Sequence, residues 1–192
     1  MKTFLAFFNQ PLLKWPILFG LATGVFSFLY FLSLYFLGFV PLGNRKTPDI
    51  GITIILMTAA VWYYRRKIGK GLLHLWEAIT ICYVVNTVGA IINGWLIYFF
   101  VTYIDPSVFV RYTDELRQLI SSRQGQLVKE LGREAYLKLL QGVGEIRTAD
   151  LITDEISKKT VLVILPVLII SLIFRRQAYS LYNTQPTDTP KS

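Results

Sequence analysis

Two asparagines stand inside a long apolar run, and they are the side chains best placed to do chemistry there. Asn86 and Asn93 each carry an acceptor oxygen and two donor hydrogens. Left unpaired in hydrocarbon, such a group costs several kcal/mol. Asn86, Gly89, Ala90, Asn93 and Ile97 recur at i, i+3, i+4, i+7 and i+11, which places both amides and the small residues on one helical stripe. That stripe must face protein or a polar cavity. Two roles fit it: hydrogen bonds between helices, worth about 1 kcal/mol each, or a substrate or ion site. A second spacing lies nearer the N-terminus, where Gly20 and Gly24 form a G-x-x-x-G pair beside Thr23 and Ser27. It lets another helix backbone approach closely, either within the chain or across a homodimer seam.

Other reactive groups are sparse. Cys82 is the single cysteine and lies in an apolar run, so it reads as a small packing residue. His74 stands beside Trp76 and Glu77 without histidine or cysteine neighbours, a poor start for a metal site. Glu77 is expected to pair with Lys70 or a lipid headgroup. The sequence contains no Walker loop, H-E-x-x-H, CxxC pair or G-x-S-x-G. It therefore supplies no catalytic residues, metal ligands or cofactor site, and the expectation is a non-enzymatic protein.

The elements that position these residues follow from composition. Of 192 residues, 53% are hydrophobic, 15% aromatic and 17% charged, and the apolar residues fall in long unbroken runs, as in a membrane protein. The expected class is all-α: a polytopic membrane protein of four transmembrane helices, with an amphipathic helical insert between the third and fourth. Spans are predicted at 17–40, 48–66, 77–104 and 160–174. The first has about 24 residues, about 36 Å at 1.5 Å each, enough to cross a hydrocarbon core of about 30 Å. Thr47, Pro48 and Asp49 are predicted to open the second as N-cap, first-turn proline and acidic group at the positive dipole end. Pro166 is expected to kink the fourth.

Residues 1–15 read as an interfacial segment retained on the mature chain, since Pro11, Lys14 and Pro16 interrupt any signal-like stretch. Residues 177–192 read as a disordered polar tail. Asp105 and Pro106 are predicted to open the insert, residues 105–159, as N-cap and first-turn proline. Leu116, Leu119, Ile120, Leu127 and Leu131 keep a helical period, with breaks expected near Gly125, Gly132 or Gly142 to Gly144. The insert's apolar face must be covered by its own helices, by the membrane surface or by a partner protein.

The formal net charge is +8, but the basic residues do not form a nucleic-acid footprint. Lys2, Lys14, Arg65, Arg66, Lys67, Lys70, Arg175, Arg176 and Lys191 lie at or beyond the ends of apolar runs. The positive-inside rule then places both termini in the cytoplasm and the insert outside. The partner implied is the lipid bilayer, with a homo-oligomer or another membrane protein as the possible protein contact and no nucleic acid.

In the order of its features the stretch from Gly51 to Arg176 resembles the family called domain of unknown function 4199 (DUF4199). The resemblance rests on the Gly69-Lys70-Gly71 loop, Glu77-Ala78 opening a long span, the exit at Ile104-Asp105-Pro106, the amphipathic insert and the closing Phe174-Arg175-Arg176. It implies a small multi-spanning protein of the bacterial inner membrane with no assigned activity, and so no functional residues to carry over. Two functions remain in view. One is a non-enzymatic component acting by association. The other is a small transporter or channel subunit using the Asn86 and Asn93 stripe.

Overall fold

The computed structural model describes residues 11–176. Most of the interfacial segment expected over 1–15, and the whole tail expected over 177–192, lie outside them. Helix α1 (Pro11–Phe36) is followed by a 3₁₀ helix, Gly43–Asp49, that runs directly into α2 (Ile50–Lys67). Helix α3 (Leu75–Phe99) ends in a π turn, Phe100–Ile104. The insert forms α4 (Ser107–Ser122), α5 (Gln124–Leu131) and α6 (Arg133–Glu145), and the chain returns through α7 (Asp150–Leu162) and α8 (Ile164–Phe174). Among the described residues there is no strand, and one isolated bridge ties Leu73 to Arg176.

Two helical segments are long and apolar enough to cross a membrane, Leu12–Phe36 and Leu75–Ile104. A third qualifies if α7 and α8, bent by 46° at their junction, count as one. Helix α2 is shorter and carries Arg65, Arg66 and Lys67 in its last turn, so four crossings do not follow from length and apolarity. Leu18, Leu21, Val25 and Leu29 leave one face of α1 uncovered by protein, and Leu165, Leu168, Leu172 and Ile173 do the same on α8. Apolar faces of this extent suit lipid.

Several boundaries differ from those the sequence predicts. Helix α1 begins at Pro11, so Trp15 belongs to the helix, where its ring lies 4.8 Å from that of Tyr63. Proline tolerates the first helical turn, and Pro16, in the second, has few preceding carbonyls to displace. Thr47 does not cap α2, because the 3₁₀ turn already satisfies the backbone there: the N–H of Ile50 bonds the carbonyls of Thr47 and Pro48. Glu77 accepts from the backbone N–H of His74 at 2.8 Å, capping its own helix instead of pairing with Lys70. The insert, in contrast, breaks at or near the predicted glycines: at Arg123, at Gly132 with φ +86°, and between Glu145 and Asp150. The helix that leads into the fourth apolar segment starts at Asp150, well before Thr160. Its break falls at Val163, where Pro166 has no N–H for the Leu162 carbonyl and its ring collides with that oxygen.

Helices α1 and α3 make the largest interface in the molecule. A Cβ at Gly20 would lie 2.7 Å from the Cβ of Val88, and one at Gly24 would lie 2.6 Å from that of Ile92. From the other side, a Cβ at Gly89 would lie 2.9 Å from Cγ2 of Thr23. The glycine pair thus forms a seam inside the chain. At the far end of this interface Tyr35 Oη donates to Asp105 Oδ2 at 2.9 Å, while Asp105 Oδ1 accepts from the Ser107 hydroxyl at 2.6 Å and its backbone N–H at 3.0 Å. Asp105 therefore caps the start of α4, as its position predicts.

Replacing Gly24 with valine should cost roughly 1–3 kcal/mol by overpacking this seam, read as a lower melting temperature in detergent with the oligomeric state unchanged. The Ser107 and Tyr35 hydrogen bonds hold the Asp105 carboxyl below its usual range. Its contribution is therefore present at neutral pH and disappears as the pH falls through that depressed value. Protection factors of the amides at the start of α4, corrected for intrinsic exchange at each pH, should fall on acidification, and Asp105→Asn should remove that acid dependence.

Candidate functional site

The interior of the bundle is layered. At one end Met57, Val61, Ile81, Val85, Val163 and Val167 form an apolar cluster. At the other Phe31, Val40, Ile97, Val101 and Leu151 form a second. Between them every long helix turns polar. Thr23 and Ser27 of α1, Thr53 of α2, Asn86 and Asn93 of α3 and Lys159 of α7 are all buried. The order of layers reverses from each long helix to the next, as alternating directions require.

The polar layer is built around four charges. Lys46 and Asp49, from the 3₁₀ turn, are 6% and 5% exposed, and Lys159 is 4% exposed. The Lys159 ammonium lies 3.0 Å from Asp49 Oδ2 and 3.2 Å from Glu155 Oε1, and it donates to Ser27 Oγ at 3.1 Å. Lys46 lies 3.8 Å from Asp49 Oδ2 and donates to Glu155 Oε2. Asn93 Nδ2 donates to Glu155 Oε1 at 2.6 Å. Two cations and two carboxylates leave the cluster formally neutral. Taking each charge out of water costs several kcal/mol, which the mutual attraction must offset.

The backbone makes room for this arrangement. At Gly94 a Cβ would lie 3.3 Å from Cα of Ile152, so α7 approaches α3 closely enough for Glu155 to meet Asn93. Spaced by four, Glu155 and Lys159 share one face of α7. The cluster also lies deep. On the segment Leu75–Ile104 the two asparagines fall about 5 Å either side of the midpoint, at 1.5 Å per residue. On Leu12–Phe36 Ser27 falls about 4.5 Å from it by the same arithmetic.

The sequence placed Asn86, Gly89 and Asn93 on one stripe, and all three are buried. Their roles differ. Gly89 supports the α1 seam, Asn93 joins the charge cluster, and neither side-chain atom of Asn86 has a hydrogen-bond partner. Thr53 Oγ1 is likewise unpartnered. Of the packing candidates, Gly20 and Gly24 form the seam, whereas Ser27 belongs to the cluster. The four charged residues were missed in the sequence. Asp49 reads there as a dipole partner, Glu155 and Lys159 fall within the insert predicted outside the spans, and Lys46 carries no reading of its own. The available signal was the four-residue spacing of Glu155 and Lys159 immediately before an apolar run.

A small cleft of about 60 Å³ reaches the cluster, and Tyr112, Asp154 and Lys158 line it together with the four charges. It opens on the insert side. Lys158 is paired with Asp154 at 2.6 Å. Among the described residues no three His, Cys, Asp or Glu side chains converge as metal ligands would. Carboxylate and ammonium groups within hydrogen-bond reach of one another can exchange a proton.

Lys159→Met should be severely destabilising, by roughly 3–5 kcal/mol, because it strands Asp49 and Glu155 without their shared cation. Adding Glu155→Gln should recover part of the loss, since Lys46 and Asp49 then balance each other. Thermal unfolding of the two variants in one detergent distinguishes these outcomes.

A family model described as a protein of unknown function (DUF4199) matches residues 18–176, and the chain belongs to that family. No curated protein and no solved structure matches it.

Proposed function

We propose that this DUF4199 protein is a small transporter or channel subunit of the bacterial inner membrane that handles a proton or small cation at its buried charged layer. The observation that carries the reading is the depth of Glu155 and Lys159. Their partners Asn93 and Ser27 lie near the middle of the two long apolar segments, and ionisable groups at such depth mark ion pathways more often than packing. The break at Val163 adds support, since discontinuous helices accompany binding sites in transporters. Polar groups continue inward from the cleft through Glu155 and Asn93 to Asn86, and the cluster around Met57 and Val163 closes the opposite end.

This reading takes four crossings, with the termini cytoplasmic and the 105–159 insert periplasmic. The alternating layer order supports the four crossings, and the basic residues at the ends of α2 and α8 support the sidedness. It is a non-enzymatic reading. A second reading is favoured by a separate observation: Leu119, Leu131 and Leu137 remain exposed on the insert although its helices pack together. On that reading the protein acts by association, with a second copy or another membrane protein as the contact.

Reconstituted into vesicles with a trapped pH dye and an imposed potassium diffusion potential, the protein should carry protons or alkali cations faster than protein-free vesicles. Glu155→Gln should lower that flux at least tenfold, and Asn86→Leu with Asn93→Leu should lower it while the helical content stays intact. Wild-type flux equal to that of empty vesicles would reduce the charged layer to a fastener, leaving crosslinking in native membranes as the test of association.

A further inference from the structure

A larger groove, of about 540 Å³, lies beside the charged cleft, between the turn after α1 and the first insert helix. This volume is in the range that binds small molecules. Arg45, Lys158 and Glu115 line it together with Tyr112, Leu116 and Leu119. Lys158 is held by Asp154, whereas Arg45 and Glu115 form no ion pair among the described residues. The Arg45 guanidinium instead rests 4.9 Å above the ring of Phe39, and Tyr30 Oη donates to the Arg45 carbonyl at 3.4 Å. Both contacts fix Arg45 at the groove while leaving its fork of donors free.

The neighbouring surface is apolar. Phe36 is 80% exposed and Leu37 68% exposed, and they precede Phe39, the ring on which Arg45 rests. The groove thus holds a guanidinium and a carboxylate that form no ion pair, with exposed apolar residues next to Arg45. We propose that it binds a phospholipid whose headgroup carries both a phosphodiester and a primary ammonium. The phosphodiester meets Arg45 bidentately, with Lys158 beyond it. The ammonium meets Glu115, and the acyl chains lie along Phe36, Leu37 and Phe39. A purely anionic headgroup would leave Glu115 opposing it. A trimethylated ammonium would have no hydrogens to donate to that carboxylate. The inference rests on the membrane reading and is independent of any ion-handling role.

The test uses the full chain, delipidated in detergent and titrated with phosphatidylethanolamine, phosphatidylglycerol or phosphatidylcholine while bound lipid is counted by native mass spectrometry. The ethanolamine lipid should be retained preferentially, roughly tenfold over either of the others, as a charge-assisted hydrogen bond would give. Glu115→Gln should erase the preference over phosphatidylglycerol. Arg45→Met should abolish retention of all three, and Arg45→Lys should restore part of it. Melting temperatures without lipid establish that the variants fold. Equal retention of the three lipids, or no effect of Arg45→Met in a folded variant, overturns the proposal. So does equally tight binding of glycerophosphoethanolamine, which has no acyl chains.

Discussion

Four charges enclosed by apolar helices are costly unless each finds a partner, and the interior of this protein is arranged around that requirement. Glu155 lies between Lys46 and Lys159 and takes a further hydrogen bond from Asn93. Lys159 in turn reaches Asp49 and Ser27. Removing any one group leaves another charge or dipole buried without compensation. The network joins α1, the 3₁₀ turn, α3 and α7, which are distant in sequence, so it fixes their relative depth as well as their contact. Apolar contacts specify depth poorly where the surroundings are also apolar.

The other features fit around this layer. The glycine seam between α1 and α3 brings Ser27 and Asn93 into one plane, and Gly94 admits α7 beside it. The Pro166 break lets the chain enter as α7, carrying its charges inward, and leave on a different course as α8, apolar but for Ser171. At the outer end Asp105 ties α1 to the start of the insert through Tyr35. Helices α4, α5 and α6 contact one another far more than they contact the bundle. The insert is therefore an arm beside the mouth of the cleft, and Tyr112 on its first helix lines both the cleft and the larger groove.

Asn86 departs furthest from the pairing rule, with both side-chain atoms unpartnered. Its amide is fully buried and unpartnered, one helical stretch inward from the charge cluster, and Thr53 shares that condition. An unpaired buried group of this kind is costly and uncommon in a folded protein. Beside the cleft lies a second polar feature of opposite character, the groove lined by the exposed residues Arg45 and Glu115. One face thus separates charges that neutralise each other internally from charges that remain available.

The sequence by itself determined the helical class, the two long apolar segments, the shared stripe of Asn86 and Asn93, the glycine spacing and the capping role of Asp105. All of these depend on periodicity or neighbouring residues, which a linear reading captures. Only the tertiary structure decided that Asp49, read as a helix-dipole partner, faces two lysines, and that Glu155 and Lys159, predicted to lie outside the spans, meet Asn93 and Ser27 in the interior. Charges near an apolar run look the same in sequence whether they face water or one another. The difference lies in contacts between residues 62 to 132 apart in the chain, which local chemistry does not encode.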